Sequence, residues 1–509
     1  MTQNAPVEEI EVKIVDSIPQ QHQHPTELIV CSLILFTEAN LSFRAIANVL
    51  RITRGRESGD SPCFHTIRLW ILRFGLYQLN RERPMRKDWV YVIDHSVSVD
   101  SLKCFILLAI PLSKMKADGF NVGHREMELL DLQLMDCSNA QRVLERLTIT
   151  STRFGCPVQI VSDGGSDLKK AVALFREEHP TTRWVYDITH RLALLVGKLF
   201  EADPHWANLC RQINQSRSNC QLTGLSFLLP PKERSRSRWL NVTEIVDWLE
   251  RMLVLQKRFN ERDYCLGYVL PKISELKVTG CYQKRFIRRL KPLQGKAMGP
   301  NRDDFAQSLR KHLGKDASES LINRLIDQSD INKLKFNKIF GWLSAYEQKT
   351  HDYTQIVKML KTVQSILKHK GLSKETVSKC TEELTQMSDS NGQSHEFKKQ
   401  LKELLEQSVA DYTDSEVSLC SSDVLESLFG KFKNQIKRTA LGCMSASVLS
   451  VVLHTCKINA QTVLKSFAAI KTDDVSKWFK QQAGESLLAL RKKALGLRTK
   501  KRSNLSIIP

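Results

Sequence analysis

The segment Val90-Tyr-Val-Ile-Asp94 is an apolar run that ends in an aspartate, and Gln159-Ile-Val-Ser-Asp163 repeats this pattern further along the chain. Short runs rich in β-branched and aromatic residues are typical of buried strands. Each aspartate therefore stands at the carboxyl end of a predicted strand. A buried carboxylate is costly unless a partner compensates its charge. The two segments predict a sheet that carries acidic side chains at one edge.

The residues around these two segments predict five strands and two helices in the order strand, strand, strand, helix, strand, helix, strand. The predicted elements are Trp89–Ile93, Lys103–Leu112, Met127–Met135, Asn139–Phe154, Val158–Ser162, Ser166–Glu178 and Arg183–Tyr186. The first three strands can pair as an antiparallel meander, whereas the last two need helical crossovers. Ligands gather at the carboxyl ends of parallel strands, so Asp94 and Asp163 are expected at one site. Gly164 and Gly165 would let a phosphate approach the backbone closely.

Composition favours a polyanionic partner. The 509 residues exceed what one core holds and predict roughly three to four domains. A net charge of +21 favours nucleic acid over a membrane surface. No apolar run reaches the roughly 18 residues that a membrane span needs, and the first residues lack the pattern of a secretory signal. The 13 cysteines include no Cys-x-x-Cys pair, which favours reduced thiols over disulfides or structural zinc.

Residues 25–80 have a helical pattern that resembles a DNA-binding helix-turn-helix. The third helix of this segment carries polar and basic residues largely off its apolar face, and these are the candidate DNA contacts. They are His65, Thr66, Arg68 and Arg73. A plain helical bundle with a solvated basic face is the alternative interpretation.

Strand patterns nearly vanish after Ile188, and residues 191–415 are predicted to be helical throughout. Within 191–300 there are 20 Lys and Arg residues against 9 Asp and Glu residues. The basic residues are densest at 232–238 and 284–291. Either cluster alone can be a solvated face, but two clusters in so basic a chain favour contact with phosphates.

Two further patterns carry candidate functional residues. Asp187 and His190 are three residues apart on one helical turn, which also fits a helix cap followed by a satisfied histidine. Glu426 begins a predicted helix on which Lys433 and Lys437 share its face, which also fits an ordinary surface helix. Asp423 competes with Glu426 as a metal ligand but is better placed as a helix cap.

Together these residues resemble the DDE transposases, which have an RNase H-like catalytic core. Asp94, Asp163 and Glu426 correspond to the acidic triad of that family, and Asp187-x-x-His190 resembles the C/D(2)H signature of one large group within it. That group also has an all-helical insertion before the catalytic glutamate, and here 239 residues separate Asp187 from Glu426. The resemblance covers about residues 25–480 and extends to bacterial insertion-sequence transposases. Asp187 stands where many relatives carry cysteine.

The resemblance implies an enzyme that cleaves transposon ends and joins them to target DNA. The acidic triad would hold two Mg²⁺ or Mn²⁺ ions, and Asp187 and His190 would support the site. The insertion would contact DNA through its first basic cluster and a tryptophan that stacks near the cleavage point; the candidates are Arg234, Arg236, Arg238 and Trp239. Trp248 is the other candidate tryptophan, although core packing suits it better. The family also implies a homo-oligomer and a bacterial cytoplasmic location beside the nucleoid when DNA is bound.

The predicted fold class is an α/β RNase H-like catalytic core with a large all-α insertion and an N-terminal helix-turn-helix domain. The predicted divisions are 1–24 as a flexible N-terminus, 25–80 as the helix-turn-helix, 87–190 as the first part of the core, 191–415 as the insertion, 416–480 as the second part of the core, and 481–509 as a basic tail. Two alternative functions stay open. One is an RNase H-like nuclease that does not transfer strands, and the other is a domesticated DNA-binding protein without catalysis.

Overall fold

The structure is a computed structural model that describes residues 18–19, 22–53, 61–96, 102–120, 122–232, 242–261, 301–314, 318–389, 392–436, 444–485 and 487–496. Two compact units divide the chain. Unit 1 comprises residues 1–189, 368–372 and 417–509, and unit 2 comprises residues 190–367 and 373–416. The finer domain boundaries predicted from the sequence stay predictions.

Unit 1 contains a five-stranded mixed sheet. Its strands are β1 Trp89–Ser96, β2 Lys103–Pro111, β3 Glu128–Met135, β4 Pro157–Ser162 and β5 Arg183–Tyr186. The spatial order is β3-β2-β1-β4-β5, with β1, β2 and β3 antiparallel and β4 and β5 parallel to β1. The predicted meander and the two crossover connections are therefore confirmed.

Besides one 3-10 helix, Ala446–Thr455, several helices of the described residues lie within unit 1. They are α1 Thr26–Thr37, α2 Phe43–Thr53, α3 Phe64–Asn80, α4 Leu112–Asp118, α5 Ala140–Phe154, α6 Ser166–Glu178, α15 Asp423–Ile436, α16 Ala460–Ala469 and α17 Thr472–Ala483. A short helix of the same unit, α18 Leu487–Ala494, follows them. The sequence did not predict α4, which connects β2 to β3.

The sheet is buried on both faces. Trp89, Tyr91 and Ile93 of β1 form one core with α5 and α6. The alternate residues Val90 and Val92 are also fully buried. Because successive side chains of a strand point to opposite faces, both sides of β1 are covered. Continuous burial of this kind explains why β1 has an almost unbroken apolar sequence.

The first three helices share a second core with the segment 453–467. Ile67, Trp70 and Phe74 of α3 pack in one cluster with Leu453 and with side chains of α16. A Cβ on Gly75 would overlap the carbonyl group of Leu449, so glycine lets α3 approach the 3-10 helix closely. Helices α1, α2 and α3 are therefore packed into unit 1.

Unit 2 is helical in its described residues. Its helices are α7 Ile188–Glu201, which begins in unit 1, α8 Pro204–Cys220, α9 Val242–Glu261, α10 Arg302–Leu313, α11 Glu319–Phe340, α12 Glu347–Lys370, α13 Lys374–Gln386 and α14 Gln393–Ser408. The buried carboxylate of Asp203 caps α8 by accepting the His205 N–H at 2.9 Å and accepts the Tyr353 hydroxyl at 2.7 Å. Trp248 donates its indole N–H to the Leu228 carbonyl and lies beside Phe340, as core packing requires.

Among the helices in the described ranges, none is both long enough and apolar enough to cross a membrane. The cysteines in those ranges are free thiols.

Candidate active site

Asp94 and Asp163 lie side by side at one edge of the sheet. Strands β1 and β4 are parallel neighbours, and Ile93 of β1 is in register with Ser162 of β4. Each aspartate follows its registered residue directly: Asp94 lies within β1 and Asp163 comes just after β4, on adjacent strands about 4.8 Å apart. The strand order thus brings together two carboxylates that are distant in the sequence.

The Asp94 side chain is only 8% exposed. Its Oδ1 accepts the backbone N–H of His95 at 2.7 Å. Burial makes the ionised carboxylate expensive, and a hydrogen bond from a backbone N–H offsets part of that cost.

A tight loop of two glycines follows Asp163. Asp163 Oδ1 accepts the backbone N–H of Gly165 at 3.0 Å. A Cβ on Gly164 would overlap the phenol ring of Tyr186, so this position has no room for a side chain. A Cβ on Gly165 would lie 3.0 Å from Asp163 Oδ1 and 3.2 Å from Asp167 Oδ1. The two glycines therefore allow aromatic and carboxylate groups to crowd around one short loop.

Glu426 is half-buried in the first turn of α15, the helix that packs against β1. Throughout the residues that the structure describes, no group of three or more His, Cys, Asp or Glu side chains is close enough to hold a metal ion. The structure thus places Asp94 and Asp163 together, but it does not show the three predicted ligands as one closed metal centre.

Asp187 connects the end of β5 to the start of α15. Its side chain is fully buried. Oδ1 accepts the Thr189 N–H at 2.8 Å, while Oδ2 accepts the Ser422 N–H at 3.0 Å and also the Ser422 hydroxyl. The carbonyl of Ser422 accepts the Glu426 N–H at 3.3 Å, so Ser422 is the N-cap residue that precedes the helix. Asp187 therefore fixes the first turn on which Glu426 lies.

The other predicted residues near α15 have varied positions. Asp423, the predicted cap, is instead the first residue of α15 and forms an ion pair with Lys368. Lys433 is half-buried on the same helix, and Lys437 lies outside the described residues. His190 is half-buried in the first turn of α7, and its supporting role stays a prediction.

Sequence reasoning missed a polar network beside the two aspartates. Ser138 Oγ lies 2.9 Å from His95 Nε2 and also donates a hydrogen bond to Asp167 Oδ2. His95 Nδ1 lies 3.8 Å from the same carboxylate oxygen, too far for a hydrogen bond. Burial lowers the pKa of His95, although the nearby Asp167 opposes this shift. The only sequence signal was proximity, because His95 follows Asp94 and Asp167 follows Asp163 by four residues.

The candidate DNA contacts of α3 separate into two groups. His65 is exposed at the start of the helix, with Thr66 and Arg68 half-buried nearby. The prediction for Arg73 needs correction, because its side chain is a structural cap. Arg73 Nε donates to the Ile470 carbonyl at 2.7 Å and Nη2 to the Phe467 carbonyl at 2.9 Å. Only 8% of Arg73 is exposed, which leaves no guanidinium surface for DNA.

Four predicted DNA contacts of the insertion lie outside the described residues: Arg234, Arg236, Arg238 and Trp239. The second basic cluster, at 284–291, also lies outside them.

Comparison with known proteins gives a match among solved structures but none among family models or curated sequences. No protein-family model matches the chain, and no curated protein sequence matches it. A solved structure of a Drosophila P element transposase strand transfer complex is similar to this chain with a TM-score of 0.28 and 12% sequence identity. The alignment covers 90% of this chain and 94% of that one.

Proposed function

We propose that the chain is a DNA transposase of the DDE type, whose five-stranded sheet is an RNase H-like catalytic core. The observation that carries this proposal is the register of β1 and β4, which sets Asp94 beside Asp163 at their carboxyl ends. A helix with a third carboxylate, Glu426, packs against the same strand β1. Phosphodiester chemistry needs this kind of concentrated negative charge to hold divalent cations.

The donors of the site suit a hard cation. Carboxylate oxygens favour Mg²⁺ or Mn²⁺ over zinc, which prefers nitrogen and sulfur ligands. Asp94 and Asp163 fit such an ion because they are adjacent and no cysteine is part of the pair. In our proposal Glu426 completes the set for two ions. When bound, these ions supply the Lewis acidity that phosphodiester cleavage requires.

The residues of the chain would orient the reacting groups. The backbone N–H groups of His95 and Gly165 hold the two aspartates in fixed rotamers. With glycines at 164 and 165, the loop after Asp163 adds no side chain of its own to a region that Tyr186 and Asp167 already occupy. Water would first break the phosphodiester at the transposon end and release a 3′-hydroxyl. That hydroxyl would then attack a target phosphodiester, forming one P–O bond as another breaks.

DNA binding is proposed for two regions. The start of α3 offers exposed His65, with Thr66 and Arg68 beside it, as a helix-turn-helix reader would. The insertion contributes its basic excess, including Arg234, Arg236 and Arg238. Each phosphate contact makes binding weaker at higher salt, so the affinity should fall steeply with ionic strength. We also propose a homo-oligomer as the active form.

The test is an end-joining reaction with the full chain. Purified protein is incubated with labelled DNA that carries the repeats flanking its gene, a target plasmid and Mg²⁺. Joined products support a transposase, cleavage without joining supports the nuclease alternative, and binding alone supports the non-catalytic alternative.

Variants identify the residues responsible. Asp94→Asn and Asp163→Asn should each abolish cleavage while DNA binding persists. Asp118→Asn is the matched control, because Asp118 is an exposed aspartate at the end of α4. If Glu426→Gln keeps full activity, Glu426 is not the third ligand, and Asp423 becomes the residue to test.

A further inference from the structure

We propose that Ser138 is a positioning residue that, together with His95 and Asp167, sets the spacing between the carboxylates of Asp94 and Asp163. The inference rests on the proposed function, since it concerns the same cation site. It adds three residues that are not among the proposed carboxylate ligands.

Both aspartates are held by backbone N–H groups. Asp94 accepts the N–H of His95 at 2.7 Å, and Asp163 accepts the N–H of Gly165 at 3.0 Å. The position of each carboxylate therefore depends on where the backbone of residue 95 or residue 165 lies. A shift of either segment would move one carboxylate relative to the other.

The network anchors both of these backbone segments. His95 and Asp94 are successive residues of β1, so their side chains point to opposite faces of the sheet. The His95 ring lies near Phe105, with 5.5 Å between centroids, and contacts Ser138 in the loop before α5. Asp167, in the first turn of α6, lies just after the glycine loop. Ser138 thus connects His95, which follows Asp94, with Asp167, which follows the glycine loop after Asp163.

The proton positions in the network follow from its donors and acceptors. The Asp167 carboxylate can only accept, so the single hydroxyl proton of Ser138 goes to it. His95 Nε2 must then donate its N–H to Ser138 Oγ at 2.9 Å. Each bond therefore runs in one direction, from His95 through Ser138 to Asp167.

The glycine loop makes the arrangement sensitive to small shifts. An added Cβ on Gly165 would lie 3.0 Å from Asp163 Oδ1 and 3.2 Å from Asp167 Oδ1, so both carboxylates surround one backbone atom. Movement of Asp167 would therefore displace the loop that holds Asp163. Residues that orient metal ligands in this way typically change metal affinity by 10- to 100-fold when removed.

The test measures binding of Mn²⁺ to the full chain by isothermal titration calorimetry, without DNA and without turnover. Ser138→Ala removes both hydrogen bonds and should weaken Mn²⁺ binding by about tenfold or more. Ser138→Thr keeps the hydroxyl and should bind Mn²⁺ as the wild type does. Ser113→Ala is the matched control, because Ser113 Oγ donates to Asp88 Oδ2 at 2.6 Å in an exposed ion-pair cluster.

The outcomes separate the two proposals. If the wild type binds Mn²⁺, Asp94→Asn abolishes binding and Ser138→Ala binds like the wild type, the positioning role is overturned while the cation site stands. If the wild type binds no Mn²⁺, the proposed function and this inference both fail. A melting temperature lowered equally by Ser138→Ala and Ser113→Ala, with unchanged Mn²⁺ affinity, would show that the network only stabilises the fold. Asp167→Asn provides a second variant, which should weaken binding as Ser138→Ala does.

Discussion

Replacing Asp187 should loosen the start of the helix that carries Glu426. The buried Asp187 carboxylate accepts three hydrogen bonds, one from Thr189 and two from Ser422. Asparagine has nearly the same shape but only one acceptor oxygen. Whichever way the asparagine side chain turned, its NH₂ group would face the backbone N–H of either Thr189 or Ser422. Two donors cannot form a hydrogen bond with each other, so one N–H would lose its acceptor.

The cost of each substitution follows from the bonds it removes. A hydrogen bond to a charged group contributes about 1.5–3 kcal/mol, and a buried donor left unsatisfied costs about 1–3 kcal/mol. Asp187→Asn should therefore destabilise the start of α15 by about 3 kcal/mol. Ser422→Ala removes only the hydroxyl bond and keeps the backbone N–H bond, so about 2 kcal/mol is expected.

Hydrogen–deuterium exchange measured by mass spectrometry reports this local opening. A loss of about 3 kcal/mol corresponds to roughly 150-fold faster exchange of amides that open with the helix. Peptides from residues 423–436 should show this increase in Asp187→Asn and a smaller one in Ser422→Ala.

The matched control is Asp203→Asn, which changes another buried helix-capping aspartate. Asp203 bonds to His205 and Tyr353 of unit 2, so exchange in residues 423–436 should stay as in the wild type. If Asp187→Asn accelerates exchange there by less than about threefold, the assignment of Asp187 as an anchor of α15 is refuted.

Three further substitutions test the packing of unit 1. Burial lowers the pKa of His454 to about 4, so the unfolded chain takes up a proton at higher pH than the folded chain. The contribution of His454 to the free energy of unfolding therefore falls as the pH drops from 6.5 to 4, by about 1.4 kcal/mol per pH unit. His454→Gln should flatten this dependence in urea-unfolding curves recorded at pH 7 and pH 5. Gly75→Ala gains about 1 kcal/mol of helix propensity but pushes a methyl group into the Leu449 carbonyl, so a net loss of about 2 kcal/mol should lower the melting temperature. Arg73→Met should cost about 3 kcal/mol by removing bonds to two carbonyls, whereas weaker DNA binding at unchanged stability would contradict its structural role.

The sheet was predictable because its strands are strongly patterned. Strand β5 and helix α6 have the bounds that the sequence predicted. The apolar run before Asp94 correctly predicted the position of β1. The neighbouring positions of Asp94 and Asp163 followed from strand order alone. Helix α4 was missed because it has only seven residues, of which Met115 alone is buried, so it has no apolar stripe.

Contacts between distant segments were not predictable from local pattern. Arg73 was read as a surface residue because it lies off the apolar stripe of α3. Its partners are carbonyls 394 and 397 residues further along the chain. Ser138 shows the same limit, because its neighbours on β1 and α6 meet only when the sheet has formed. No local period identifies such pairs.

The bond between Asp187 and Ser422 spans 235 residues of sequence. At roughly 5–20 residues per second, a ribosome would complete β5 on the order of 10–50 s before it reaches Ser422. During that interval the nascent chain already contains both strands that bear Asp94 and Asp163, but not the helix that bears Glu426. In our proposal the order of synthesis therefore keeps the polypeptide inactive until nearly all of it has been made. In our proposal, a product terminated between residues 301 and 421 would retain the proposed DNA-binding segments and yet lack the third carboxylate, Glu426.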